Sequence, residues 1–224
     1  DGVRRAVDLA TEARALSASR FGEESAVAAS VDTDLALYSL YGGDAGAASD
    51  RAGRAIAVLD RLRPSDGVGE GRGRRRGNRA PYVPLPTAGG ATELAVASAR
   101  AGAVAALAQT ALGDYAGAVD RARGAVASLR RVGRPSAPRW AAEAWAEGVA
   151  LGLHAEAVAL QRAGAHERAL RAADESAATL SRQFGEGDRR AVRARVLAAS
   201  LAATVAGRGA AAPSTDLVAD AVAA

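Results

Sequence analysis

Apolar positions recur at helical spacing along most of this chain, and the ones that repeat most faithfully are small. An alanine is followed by a second four residues on, and by another small residue three further: Ala6, Ala10, Ala13; Ala48, Ala52, Ala55; Ala118, Ala122, Ala125; Ala169, Ala173, Ser176. Steps of four and three place each triplet on one helical face. Small side chains there let a neighbouring helix come close. The last three copies are each preceded, five residues before their first alanine, by a glycine: Gly43, Gly113 and Gly164. Glycine supplies the positive φ that a turn between antiparallel helices often needs. Leu35-Ala36, Ala105-Ala106 and Ala157 lie in apolar stretches upstream of these glycines, so each unit reads as helix, glycine turn, helix. The pattern predicts helices near 3–18, 24–41, 45–62, 92–112, 115–131, 139–163, 166–183, 188–206 and 215–223. Ser214 or Thr215, after Pro213, would cap the last one.

The periodicity fails over 63–91. This stretch carries Gly67, Gly69, Gly71, Pro81, Pro84 and Pro86, which deny it regular structure, and the arginines Arg72, Arg74, Arg75, Arg76 and Arg79. Five guanidinium groups could contact phosphates or an acidic partner; Tyr82 alone is too little aromatic surface for base stacking. The blander reading is a solvated loop between helical segments. The chain thus divides into helices over 1–62, the insertion 63–91, further helix pairs over 92–208, and a linker with a short helix over 209–224.

The turn Leu112-Gly113-Asp114-Tyr115-Ala116-Gly117-Ala118-Val119 resembles the inter-helix turn of a tetratricopeptide repeat. Looser copies are Ala163-Gly164-Ala165-His166-Glu167-Arg168-Ala169-Leu170 and Gly43-Asp44-Ala45-Gly46-Ala47-Ala48. Phe21-Gly22-Glu23 and Phe184-Gly185-Glu186 each follow a second helix, and they resemble linkers of the longer, kinesin light chain type of repeat. The spacing between copies is uneven and twice exceeds the usual repeat of about 34 residues, so insertions must be absorbed. The resemblance implies an all-α fold of antiparallel helix hairpins stacked as a right-handed α-solenoid, its concave face lined by the first helix of each pair. By that register the groove residues are Thr33, Leu37, Tyr41, Arg100, Ala103, Leu107, His154, Val158, Gln161 and Arg162. The lysine and asparagine set with which some members of the family clamp a chaperone's terminal carboxylate is missing. Starting at Asp1 on a second helix, the chain reads as a piece of something longer.

Composition narrows the chemistry. Of 224 residues 49% are hydrophobic but only 4% aromatic, much of the remainder being alanine, which suits thin layers of helix rather than a thick core. All 29 basic residues are arginine, while asparagine (Asn78) and isoleucine (Ile56) occur once each, a bias of the kind a GC-rich bacterial genome produces. The net charge of +4 is therefore weak evidence for a nucleic-acid partner. Absent cysteine removes disulfides, thiolate metal sites and cysteine nucleophiles. No long apolar run lacks charge and no signal-peptide pattern is visible, so no membrane association and a cytoplasmic location are expected.

His154 and His166 are the only histidines; they fall on two helices of one hairpin and make no His-Glu-x-x-His motif. No Gly-x-Ser-x-Gly elbow occurs, and Gly69-Glu70-Gly71-Arg72-Gly73 lacks the ending of a phosphate loop. No acid, base and nucleophile can be assembled, so no catalytic residue, metal or cofactor is expected. Trp140 and Trp145, five apart, do not share a face; one is expected in the core, the other against a neighbour or in the groove, and both are candidate contact anchors. The expected function is a non-catalytic scaffold that holds a peptide or protein segment in its groove. Two alternatives are a sensory domain of a larger bacterial regulator, which would bind a signal peptide or small ligand, and nucleic-acid contact through the arginine loop.

Overall fold

The computed structural model describes residues 2–63, 90–136 and 138–209. Among them are eight α-helices and no strand: α1 (Gly2–Phe21), α2 (Ala26–Tyr41), α3 (Ala45–Leu62), α4 (Gly90–Leu112), α5 (Tyr115–Val132), α6 (Arg139–Arg162), α7 (His166–Phe184) and α8 (Arg189–Gly209). Eight of the nine expected helices are present, with ends displaced by no more than a few residues. The ninth, near 215–223, lies outside the described residues, as does most of the insertion.

The glycine turns form for the reason their sequence suggests. Gly43, Gly113 and Gly164 have φ of +86°, +91° and +84°. In each turn the next residue's amide reaches back to a carbonyl of the last helical turn: Asp44 to Ser39 at 2.9 Å, Asp114 to Gln109 at 3.0 Å, Ala165 to Leu160 at 2.9 Å. That bond satisfies a carbonyl the ending helix would otherwise orphan. Asp44 and Asp114 then cap the following helices, their carboxylates accepting from the amides of Ala47 and Gly117. Ala165 holds the equivalent place before α7 and offers no side-chain cap. Expected to start near 24, α2 starts at 26, because residues 23–25 turn and the Ser25 hydroxyl caps it by accepting from Ala28.

Each helix packs on the next along the chain; α2 also packs on α4, and α4 on α6. The small-residue stripes lie in these contacts. Ala48, Ala52, Ala55, Ala118, Ala122 and Ala169 are 0% exposed, with Ala125, Ala173 and Ser176 also buried. At Ser176 the small side chain does more than fill space: its hydroxyl donates to the Ala150 carbonyl of α6 at 2.9 Å. The remaining copy is the exception. Ala6 and Ala10 are half-buried and Ala13 is exposed, because α1 packs chiefly on α2 and has no helix before it among the described residues.

The core is accordingly a string of small clusters rather than one thick centre. Glycine brings α6 closest to α5: a Cβ on Gly152 would stand 2.6 Å from Val126 Cγ2, and one on Gly148 2.9 Å from Leu129 Cδ1. Within α4, Thr92–Leu112 is long and apolar enough to cross a membrane by length and composition. It is nonetheless mostly buried among α2, α3, α5 and α6, and it carries Arg100 midway.

Candidate functional site

Helices α2, α4, α6 and α8, with Ser176 and Leu180 of α7, line one cavity of about 370 Å³. Leu37, Val96, Leu151, Leu180 and Ala194 give it apolar walls, and His154, Glu147, Arg100, Arg190 and Arg193 give it a polar rim. A second hollow of about 200 Å³ continues it through the shared residues Val96, Arg100 and Ala144, toward Thr33 and Trp140. The two make one groove running along the first half of α4 and along α6 from Trp140 to His154. Its polar groups are few and convergent, as in sites that fix an apolar ligand by a handful of contacts.

Most of the rim charges are already spoken for. Arg100 of α4 pairs with Asp34 of α2 at 2.6 Å, and Arg190 of α8 pairs with Glu147 of α6, so neighbouring lining helices are bridged at two levels. Arg190 also binds Asp188 at 2.9 Å and lies 3.6 Å over the Phe184 ring. Hydrogen bonds from the Arg190 side chain and amide pull the Asp188 carboxyl down to about 2. Arg193 has no ion pair among the described residues and stands in the groove as a free cation. Burial lowers the pKa of the His154 imidazole, so it lines the cavity as a neutral ring at physiological pH.

The residues expected to line a groove are divided by the structure. Thr33, Leu37, Arg100 and His154 come together around these hollows. Ala103 and Leu107 pack into the core between helices instead. Tyr41 is 66% exposed at the end of α2, Arg162 is exposed at the end of α6, and half-buried Val158 and Gln161 lie a turn or more beyond His154, outside the cavity. On α2 and α6 the residues nearest the helix C-termini, Tyr41 and Arg162, fall beyond the hollow, whereas Leu37 and His154 one or two turns earlier line it. The two tryptophans separate as their spacing implies. Trp145 is half-buried and packs against the cluster that includes Ala99, Val126 and Leu129, and its Nε1–H donates to the Leu129 carbonyl at 2.9 Å. Trp140 is 51% exposed and lines the smaller hollow beside Thr33.

Sequence reasoning missed Val96, Ala144, Leu151, Arg190 and Arg193. The signal was available for the last two: extending the first-helix register to 188–206 leads to α8, whose face completes the cavity. The arginines Arg72, Arg74, Arg75, Arg76 and Arg79 lie outside the described residues. Among the described residues no three His, Asp or Glu side chains are grouped to hold a metal ion. No family model matches this chain, and no curated protein sequence matches it.

Proposed function

We propose that this chain is a non-catalytic binding scaffold, built as a tetratricopeptide-like superhelix, that holds a peptide or protein segment in the groove of α2, α4, α6 and α8. The single observation behind this reading is the cavity lined chiefly by α2, α4, α6 and α8, apolar in its walls and charged at its rim. Helices related by one hairpin, α2 with α4 and α4 with α6, also touch one another, as side-by-side stacking of hairpins requires. Peptide recognition by a groove of this kind rests on a few apolar anchors and on polar groups that set direction. Here Leu37, Val96 and Leu151 offer the apolar seat, Trp140 an exposed anchor, and Arg193 a charge with no ion pair among the described residues.

Selection from a random peptide library against the whole chain tests this. Enriched peptides are expected to shift the NMR signals of the His154 ring and the Trp140 indole, and to lose at least about tenfold in affinity on Leu151→Arg, which fills the apolar seat with a charge. Selected peptides that bind wild type and Leu151→Arg alike would sink the proposal. A second reading, the sensory domain of a bacterial regulator, is favoured by size alone: about 370 Å³ falls within the range of small-ligand pockets.

A further inference from the structure

A second cleft, of about 710 Å³, opens on another side of α6, between α5 and α7. Leu153 and Glu156 line it, whereas Leu151 and His154 line the groove described above. Residues two apart on a helix point roughly 200° from one another, so the two hollows lie back to back across α6. Five arginines line the cleft, Arg123, Arg130 and Arg131 from α5 with Arg168 and Arg171 from α7, against two carboxylates, Glu156 and Glu175.

The ion pairs set out which of these charges are free. Arg123 binds Glu156 at 2.7 Å and Arg130 binds Glu175, bracing α5 to α6 and to α7. That uses both carboxylates. Arg131, Arg168 and Arg171 have no ion pair among the described residues. Three arginines therefore line one hollow with no ion-pair partner among the described residues, its two carboxylates being taken by Arg123 and Arg130. Like charges held together raise the field inside a cleft and are relieved by an anion entering it.

We infer that the α5–α7 cleft is a docking surface for an acidic protein segment, one that presents several Asp or Glu side chains in succession. Charge complementarity identifies the occupant's sign, and the cleft's other features identify its kind. Arginine forks bind carboxylates bidentately and hold them in direction. Between Arg123 and Arg130 the cleft runs about 10 Å along α5, which about three extended residues would cover. Its floor of Val126, Leu153 and Ala172 is already buried, so it offers small apolar relief rather than a seat for large side chains. A nucleic-acid strand fits less well. Among the described residues no aromatic side chain lines the cleft for bases to stack on, and Glu156 and Glu175 would stand against a continuous phosphate chain.

The test uses the whole chain and a fluorescent peptide of alternating glutamate and alanine, with oligo-dT as the competing polyanion, both read by anisotropy. The peptide should bind, weaken steeply as salt rises from about 50 to about 200 mM, and shift the side-chain NMR signals of Arg131, Arg168 and Arg171 in the wild-type protein. The triple variant Arg131→Gln, Arg168→Gln, Arg171→Gln should bind it at least about fivefold more weakly, the scale of three exposed charge pairs. A control with Arg4→Gln, Arg5→Gln and Arg54→Gln removes the same charge from α1 and α3 and should change affinity less than about twofold. Equal losses in both triples, or oligo-dT binding more tightly than the peptide through the same three arginines, would overturn the inference. Unshifted arginine signals would do so even if a variant failed to fold.

Discussion

Replacing Gly152 by alanine tests a close approach of α6 to α5, because the same substitution at Gly124 supplies its own control. Both glycines are internal to helices, Gly124 in α5 and Gly152 in α6. Alanine in a helix interior is favoured over glycine by about 1 kcal/mol. At Gly124 a new Cβ meets nothing within 4 Å, so that gain should appear in full. At Gly152 it would stand 2.6 Å from Val126 Cγ2, with Ala122 O at 3.6 Å and Val126 N at 3.7 Å behind. Carbon atoms prefer about 3.5–4.0 Å, so roughly 1 Å must be found. Val126 is 3% exposed and, being β-branched in a helix, has essentially one rotamer; it has nowhere to turn. The helices must part, which typically costs about 1–3 kcal/mol. Set against the propensity gain, Gly152→Ala should be between neutral and about 2 kcal/mol destabilising, whereas Gly124→Ala should stabilise by about 1 kcal/mol. In urea unfolding followed by helical circular dichroism, with a slope near 2 kcal/mol per molar, the midpoint should rise by about 0.5 M at Gly124 and fall by up to about 1 M at Gly152. Should Gly152→Ala raise the midpoint as far as Gly124→Ala does, α5 and α6 would not meet at these residues and the packing described would be wrong.

The two tryptophans should respond in opposite ways: Trp145→Phe loses the Nε1–H bond to the Leu129 carbonyl and about 1 kcal/mol of stability, whereas Trp140→Ala leaves the urea midpoint unchanged and weakens groove-bound peptides. For Asp188 the folded pKa lies below the ordinary 3.8, at about 2, so its contribution to stability is complete above the unfolded value and is lost as pH falls through about 2. An NMR titration should find that half-point in wild type and find it moved toward the ordinary value in Arg190→Gln, since the Arg190 side chain is the first cause of the shift. His154 is also depressed, here by burial, so stability should hold above the ordinary histidine value of about 6.5 and decline as pH falls below it. In His154→Phe the difference between urea midpoints at about pH 7 and about pH 5 should shrink; an unchanged difference would place the titration elsewhere.

What the sequence disclosed and what it withheld follow from the range of the forces involved. Helix positions and glycine turns rest on local chemistry: a positive φ at Gly113, an Asp114 carboxylate within reach of the Gly117 amide, an alanine every third or fourth place. A single sequence carries all of that. Burial of the stripes needs one further condition, a helix in front of them. Ala48, Ala118 and Ala169 meet it, whereas Ala13, with the same spacing, stays exposed because no described helix covers that side of α1. Periodicity states which face a helix can bury; only tertiary packing states whether it does. The groove shows the same limit at finer scale. One register along α2, α4 and α6 placed Thr33, Arg100 and His154 correctly at the hollow, yet counted Leu107, which is drawn into the core. The α5–α7 cleft lay beyond any local signal. Arg131 and Arg168 belong to different hairpins, and their lack of an ion pair among the described residues depends on Glu156 and Glu175 being taken by Arg123 and Arg130. In a chain whose every cation is arginine, composition cannot tell a free charge from a paired one. The pairing itself has to be seen, and it is the pairing that sets these arginines apart from the rest of the basic surface.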